Sequence, residues 1–166
     1  DLHLCLRRQR QMCIRDRYNK INQQIKRERS LAYYEYVSSG KGPWVTVIQD
    51  IDPNPGFGAF WGEVNSNIHK ALGVYGTITN GSVRDLDALS DGFQIHEGKI
   101  CPAHGYVHIE ETGIPVSVFG MEVNHGDLLH ADQHGAVVIP AKQATPLAVD
   151  SVFLGTCIGI FSMLAT

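Results

Sequence analysis

Between residues 44 and 140 the apolar positions fall in short runs cut by glycine and proline, and one stretch repeats at helical spacing. "WVTVIQDI", Trp44 to Ile51, is mostly apolar and β-branched, and it stops at "DPNPGFG", where two prolines and two glycines compel a turn. A strand is predicted. In "FWGEVNSNIHKALG", Val64, Ile68, Ala71 and Leu72 share helical spacing, and Gly73 predicts the C-terminal cap. "VYGTIT" then predicts a short buried strand ending at Asn80-Gly81. Strand, loop, helix and strand in that order are the signature of a βαβ unit.

The second half is β-rich. "YVHIEE", "IPVSVFG", "GDLLHAD" and "GAVVIP" predict four short strands separated by glycines at 113, 120, 126 and 135. Upstream, the polar segment from Tyr18 to Glu35 predicts a helix or a connector, and "SSGKGP" after it predicts a loop. The expected fold class is α/β in a single domain over residues 44–150, led by a helical connector over 18–43.

Both ends differ from this pattern. The opening "DLHLCLRRQRQMCIRDRYN" lacks either period and resembles the translated read-through of a sequencing adapter, so residues 1–17 are set aside. A basic RNA-binding arm is the alternative reading of that string. From Val152 to Thr166 the chain carries no charge over 15 residues, which is short for a membrane-spanning helix of roughly 20. A frame-disrupted end or a buried terminal helix is expected over 151–166.

Charge refines the picture. Five of the 14 basic and two of the 17 acidic residues lie in 1–17, which leaves 9 and 15 over residues 18–166, a net of −6. A broad phosphate-binding face is not expected, and neither nucleic acid nor membrane is an expected partner. Four cysteines, at 5, 13, 101 and 157, show no C-x-x-C spacing, which fits a reducing cytoplasm. Cys101 reads as a structural thiol. His125, His130 and His134 lack a zinc spacing and read as surface or interface residues, and His69 as a structural group near the helix. Phe57, Phe60 and Trp61 in the glycine-rich loop read as a substrate lid or a subunit contact.

Two features of the βαβ unit carry candidate chemistry: Gly62-Glu63 at the start of the helix, and Arg84-Asp85 just beyond the second strand. In α/β architectures, strand ends and the N-termini of following helices converge on one crevice, where free backbone N–H groups favour an anion. Arginine offers a planar fork for a carboxylate or a developing enolate; aspartate is a hard oxygen ligand for Mg²⁺ or Mn²⁺. The two pairs are therefore expected to meet.

"FGAFWGEVNSNIHKALGVYGTITNGSVRDLDAL" together with "VFGMEVNHGDLLHADQHGAVVIP" resembles the RraA-like family, which contains the regulator of ribonuclease activity A and the class II 4-hydroxy-4-methyl-2-oxoglutarate aldolases. The resemblance covers roughly residues 27 to 150 and is strongest in G-x-V-R-D at Gly81 to Asp85, with Glu63 placed 22 residues before Asp85. It implies a β/β/α sandwich, here truncated, assembled as a homotrimer with a site between subunits. It also implies a divalent metal, Mg²⁺ or Mn²⁺, held by Asp85 and a keto acid substrate giving pyruvate. Arg84 would bind the keto oxygen, the backbone of Gly62, Glu63, Val64 and Asn65 would hold the substrate carboxylate, and Glu63 would orient a proton-moving water. Asn65, Ser66 and Asn67, where the aldolases carry aliphatic residues, imply a more polar pocket. The family also implies an alternative: a non-catalytic protein that binds a ribonuclease or helicase.

Overall fold

The computed structural model describes residues 23–40, 44–102, 104–140, 142, 157–158 and 160–165. Two helices, α1 (Gln23–Ser38) and α2 (Glu63–Ala71), accompany 13 strands among these residues. The strands are β1 (Trp44–Asp50), β2 (Ala59–Trp61), β3 (Val74–Thr79), β4 (Ser82–Val83), β5 (Gln94–His96), β6 (Lys99–Ile100) and β7 (Ile109–Thr112). They continue with β8 (Val116–Val118), β9 (Met121–Val123), β10 (Leu128–Asp132), β11 (Gly135–Ile139), β12 (Cys157–Ile158) and β13 (Ile160–Ala165).

A five-stranded sheet in the order β5-β3-β1-β13-β7 forms the centre. β1 and β3 run parallel with α2 in the crossover between them, so the expected βαβ unit is present. Its C-terminal end is tied by side chains that imitate a ladder. Asn80 Oδ1 accepts the Asp50 N–H at 2.7 Å, and Asn80 Nδ2 donates to the Asp50 carbonyl at 2.9 Å. Asp50 in turn accepts the N–H groups of Asp52 and Gly56, which shapes the turn that the prolines and glycines begin.

Two apolar layers cover the two faces of the sheet. On one face Tyr33 and Val37 of α1 pack with Trp44, Ile48, Trp61, Val74 and Val83. On the other, Val45, Val47 and Ile78 pack with Val116, Val118, Val123 and Leu129 from the β8–β9 and β10–β11 hairpins. Helix on one side and hairpins on the other make the mixed α/β single domain expected from the sequence, with the short ribbon β2-β4-β6 closing one end.

α1 extends the expected connector and is anchored through its polar side. Arg29 pairs with Glu110, which also meets His108 Nε2 at 2.6 Å. Burial raises the Glu110 pKa, but the bonds to His108 and Arg29 and their positive charge outweigh it, so the carboxyl titrates below its usual range.

Two expectations change. The buried terminal helix is replaced by strands β12 and β13, with β13 seated between β1 and β7 in the central sheet. An unbroken apolar run can be a central strand or a buried helix, and only length separates the two. The lid or subunit-contact reading of the aromatics fails for Trp61, which is fully buried in the core; Phe60 packs half-buried against it. Residues 1–17, with Cys5 and Cys13, lie outside the described residues. No described helix is long and apolar enough to cross a membrane.

Candidate functional site

β2 and β4 pair in parallel, which brings the residue after β2, Gly62, against the residues after β4, Arg84 and Asp85. The Arg84 N–H donates to the Trp61 carbonyl at 3.0 Å, and Arg84 Nη1 donates to the Ala59 carbonyl at 2.7 Å. Both ends of the arginine are therefore held by β2. Its Nε lies 3.1 Å from Asp85 Oδ2, so the two side chains also face each other. Asp85 adopts a left-handed conformation, φ 55° and ψ 44°, and opens a single 3₁₀ turn, Leu86–Ala88. Aspartate tolerates that region better than most residues, and the reversal points the carboxylate back beside its neighbour.

The N-cap of α2 is Gly62, with extended backbone and no capping side chain. A Cβ at Gly62 would stand 2.8 Å from Asp85 Oδ2 and 3.0 Å from both Cγ and Cζ of Arg84. Gly62 thus lies against Arg84 and Asp85, and the missing methyl makes that approach possible. Gly62→Ala is expected to push the Asp85 carboxylate and the Arg84 side chain aside at a modest cost in stability, because Asp85 Oδ2 ends a half-exposed side chain while Arg84 is held at both ends. A melting temperature lowered by only a few degrees with sharply reduced turnover would check this.

The side chain of Glu63 is exposed and next to the first turn, where its charge suits the positive end of the helix. Val64 also points outward. Asn65 does not open a polar pocket: its Nδ2 donates to the Phe60 carbonyl at 2.5 Å and its Oδ1 accepts from the Tyr34 hydroxyl at 3.3 Å. Ser66 is buried, donates to the Glu63 carbonyl and accepts the Ser90 N–H, while Asn67 Nδ2 donates to the Glu63 carbonyl. The polar triplet braces the first turn of α2 rather than lining a cavity. That corrects the expectation of a more polar pocket.

His69 lies beneath this turn. Its Nδ1 is 2.6 Å from the Asn65 carbonyl, which can only accept, so Nδ1 carries the proton and Nε2 accepts from the Tyr33 hydroxyl at 2.5 Å. Tyr33, Tyr34, Phe60 and Trp61 surround the ring, and no part of it reaches solvent. Burial pulls the imidazole down to about 4, against the smaller upward pull of the Asn65 carbonyl. Burial, with Tyr34 alongside, holds the Tyr33 hydroxyl well above its ordinary pKa, so it donates as a neutral phenol. The structural reading of His69 stands. Tyr33 and the Asn65 side chain escaped sequence reasoning; the four-residue spacing of Asn65 and His69 is the one trace they leave there.

Cys101 donates to the Phe57 carbonyl and is half-buried, as a structural thiol would be. His130 and His134 stand beside Asp132 on the β10–β11 turn, and His125 meets the Tyr36 hydroxyl at 2.8 Å.

A divalent ion would find one hard ligand here. Among the described residues no group of three His, Cys, Asp or Glu side chains is arranged to hold a metal. Asp85 Oδ2 is engaged by Arg84, and the space beside it is left open by Gly62. A lone carboxylate fits Mg²⁺ or Mn²⁺, which keep most of their water, and does not fit a closed zinc cage.

Residues 22–138 match the RraA-like family, described as Aldolase/RraA. The chain belongs to this family. Among curated proteins it is similar to Protein DlpA of Legionella pneumophila, 29% identical over 83 residues, which are 48% of this chain and 14% of that protein. It is also similar to the uncharacterized protein MJ0644 of Methanocaldococcus jannaschii, 30% identical over 95 residues, 56% of this chain and 45% of that one. The chain thus spans less than half the length of these two relatives. An uncharacterized protein from Pseudomonas syringae pv. tomato, solved by crystallography, shares the fold with a TM-score of 0.55 at 21% identity, over 71% of this chain and 56% of that one.

Proposed function

We propose that the corner formed by Gly62, Arg84 and Asp85 is the site of a divalent-metal-dependent lyase. Its substrates would be pyruvate-derived acids, cleaved by retro-aldol reaction of 4-hydroxy-4-methyl-2-oxoglutarate-like compounds or by decarboxylation of oxaloacetate. The observation carrying the reading is the contact of Arg84 and Asp85 with a side-chain-free helix N-cap. Asp85 would hold Mg²⁺ or Mn²⁺, and the bound ion would supply Lewis-acid polarisation of the substrate ketone.

Arg84, fixed at two points by β2, meets the oxygen on which enolate charge accumulates as the carbon–carbon bond breaks. Its guanidinium is preorganised, so it stabilises charge that exists mainly in the transition state. Backbone N–H groups of Glu63, Val64 and Asn65 in the first turn of α2 hold the substrate carboxylate. Glu63 orients the water that returns a proton to the enolate carbon. Pyruvate release from both acids, with Mg²⁺ and with EDTA, tests the reading; no pyruvate under either condition rejects it.

The same reading includes a homotrimer with the site at its interface. Val64 and Ile68, one turn apart on α2, are 60% and 37% exposed, so the apolar spacing legible in the sequence faces outward. Such a stripe beside the site suits a subunit contact. Ile68→Glu is expected to shift the molar mass measured by light scattering from trimer to monomer.

The family also holds regulators, and the net charge of −6 over residues 18–166 suits a basic ribonuclease or helicase partner. Capture of purified ribonuclease by protein that forms no pyruvate would favour that second reading.

A further inference from the structure

A cleft of about 390 Å³ lies on the other face of the central sheet, between the end of β5 and the β8–β9 hairpin. Ile78 and Val118 of its wall belong to the hairpin-side core, whereas Trp61 and Val83, which flank the Gly62 corner, belong to the helix-side core. It is therefore a separate place on the molecule. Its wall is mainly apolar, with Ile78, Ile95, Val118, Met121 and Ala136. Its size falls within the range of small-molecule pockets, roughly 300–1,000 Å³.

Two observations go beyond shape. Glu97 lines the cleft half-buried and has no hydrogen-bond or ion-pair partner among the described residues; His96 lines the cleft beside it, and no lysine or arginine does. A carboxylate half-withdrawn from water beside an apolar wall attracts a cation. The lip is Phe119, at the tip of the β8–β9 hairpin. Val118 pairs with Met121, so Phe119 and Gly120 form a two-residue turn with φ of 52° and 81°. Such turns call for Asn or Asp followed by Gly, because the first residue must also take the left-handed conformation. Here a phenylalanine takes that strained place and remains 67% exposed, so the fold itself gains little from its ring. Strain at a residue whose bulk the fold does not use is a mark of contact with something else.

We propose that this cleft binds a small organic cation of the alkylammonium class. The ammonium pairs with Glu97 and lies against the face of the Phe119 ring, which attracts cations. The alkyl tail packs on Ile78, Val118 and Met121. This site is independent of the lyase reading and stands or falls without it.

The test is a ¹H–¹⁵N NMR titration of the full chain with n-butylammonium, its neutral analogue n-butanol and the anion butyrate. Butylammonium is expected to shift the amides of Ile95–Glu97 and Ser117–Met121 saturably, with at least about tenfold tighter binding than butanol and tighter still than butyrate. Glu97→Gln is expected to erase the preference for the cation. Phe119→Asn keeps a residue suited to the turn, so it is expected to raise the melting temperature while weakening butylammonium binding about tenfold. Equal affinities for butylammonium and butanol overturn the proposal, as do unmoved amides at both elements or unchanged binding in Phe119→Asn.

Discussion

Asp85→Asn is expected to lower metal-dependent pyruvate release by roughly 10²- to 10³-fold, the scale of losing one preorganised group that stabilises transition-state charge. Asparagine keeps the shape of aspartate and the hydrogen bond to Arg84 Nε but removes the charge that holds a divalent ion. The fold should hardly notice. The Arg84–Asp85 pair is partly exposed, with 44% of the Asp85 side chain in solvent, and such pairs contribute about 0–1 kcal/mol. Catalysis and stability therefore separate in this variant. Wild-type turnover in Asp85→Asn, still abolished by EDTA, would place the metal elsewhere. Arg84→Lys adds a second arm: lysine keeps the positive charge but not the fork that reaches both the Ala59 carbonyl and the keto oxygen, so turnover should fall while Mg²⁺ affinity holds.

The largest stability effect is expected at His69. Its folded-state pKa of about 4 lies below the 6.5 of an unfolded histidine. Between those values the unfolded chain binds the extra proton, so folding stability rises with pH across the window. His69's contribution is fully present above about pH 6.5 and is lost as the pH falls toward 4. By pH 5 the loss amounts to about 2 kcal/mol, from about 1.4 kcal/mol per pKa unit. Urea unfolding at pH 7 and pH 5 reads it directly. The lowered pKa of Glu110 also costs stability in acid, so the comparison that matters is wild type against His69→Phe. That variant should lose the histidine share of the slope. At pH 7 it should also be less stable by about 1–3 kcal/mol, because the Tyr33 hydroxyl is left buried without an acceptor. An unchanged slope in His69→Phe would show that the ring takes up its proton in the folded state as readily as in the unfolded chain.

The same pair of sites shows where sequence reading stops. Trp44–Asp50, Glu63–Ala71 and Val74–Thr79 were legible because each local pattern agrees with its final setting: β-branched runs, a helical repeat and a glycine at each end. β2, β4 and β6 are two or three residues long, too short for any period to develop, yet they hold Arg84 against Gly62. The helical repeat of α2 was real, but its direction was not in the sequence. Val64 and Ile68 look like a core stripe and face outward, while Ser66 and His69 are fully buried. Burying them requires hydrogen-bond partners for both, and those come from Tyr33, 36 residues before His69, and from Ser90, 24 residues after Ser66.

The sequence by itself determined the βαβ unit, the family and the Arg84-Asp85 pair just beyond the second strand. These rest on spacing along the chain, which short-range sterics and turn chemistry turn into geometry directly. Only the tertiary structure decided that Ile160–Ala165 is a central strand, that Trp61 is core and that Asn65 to Asn67 brace a helix turn. It alone placed a strained phenylalanine, and a glutamate without a partner among the described residues, on one cleft. Each of those outcomes depends on which distant segment packs against the residue, and burial is a property of that encounter rather than of the local chain.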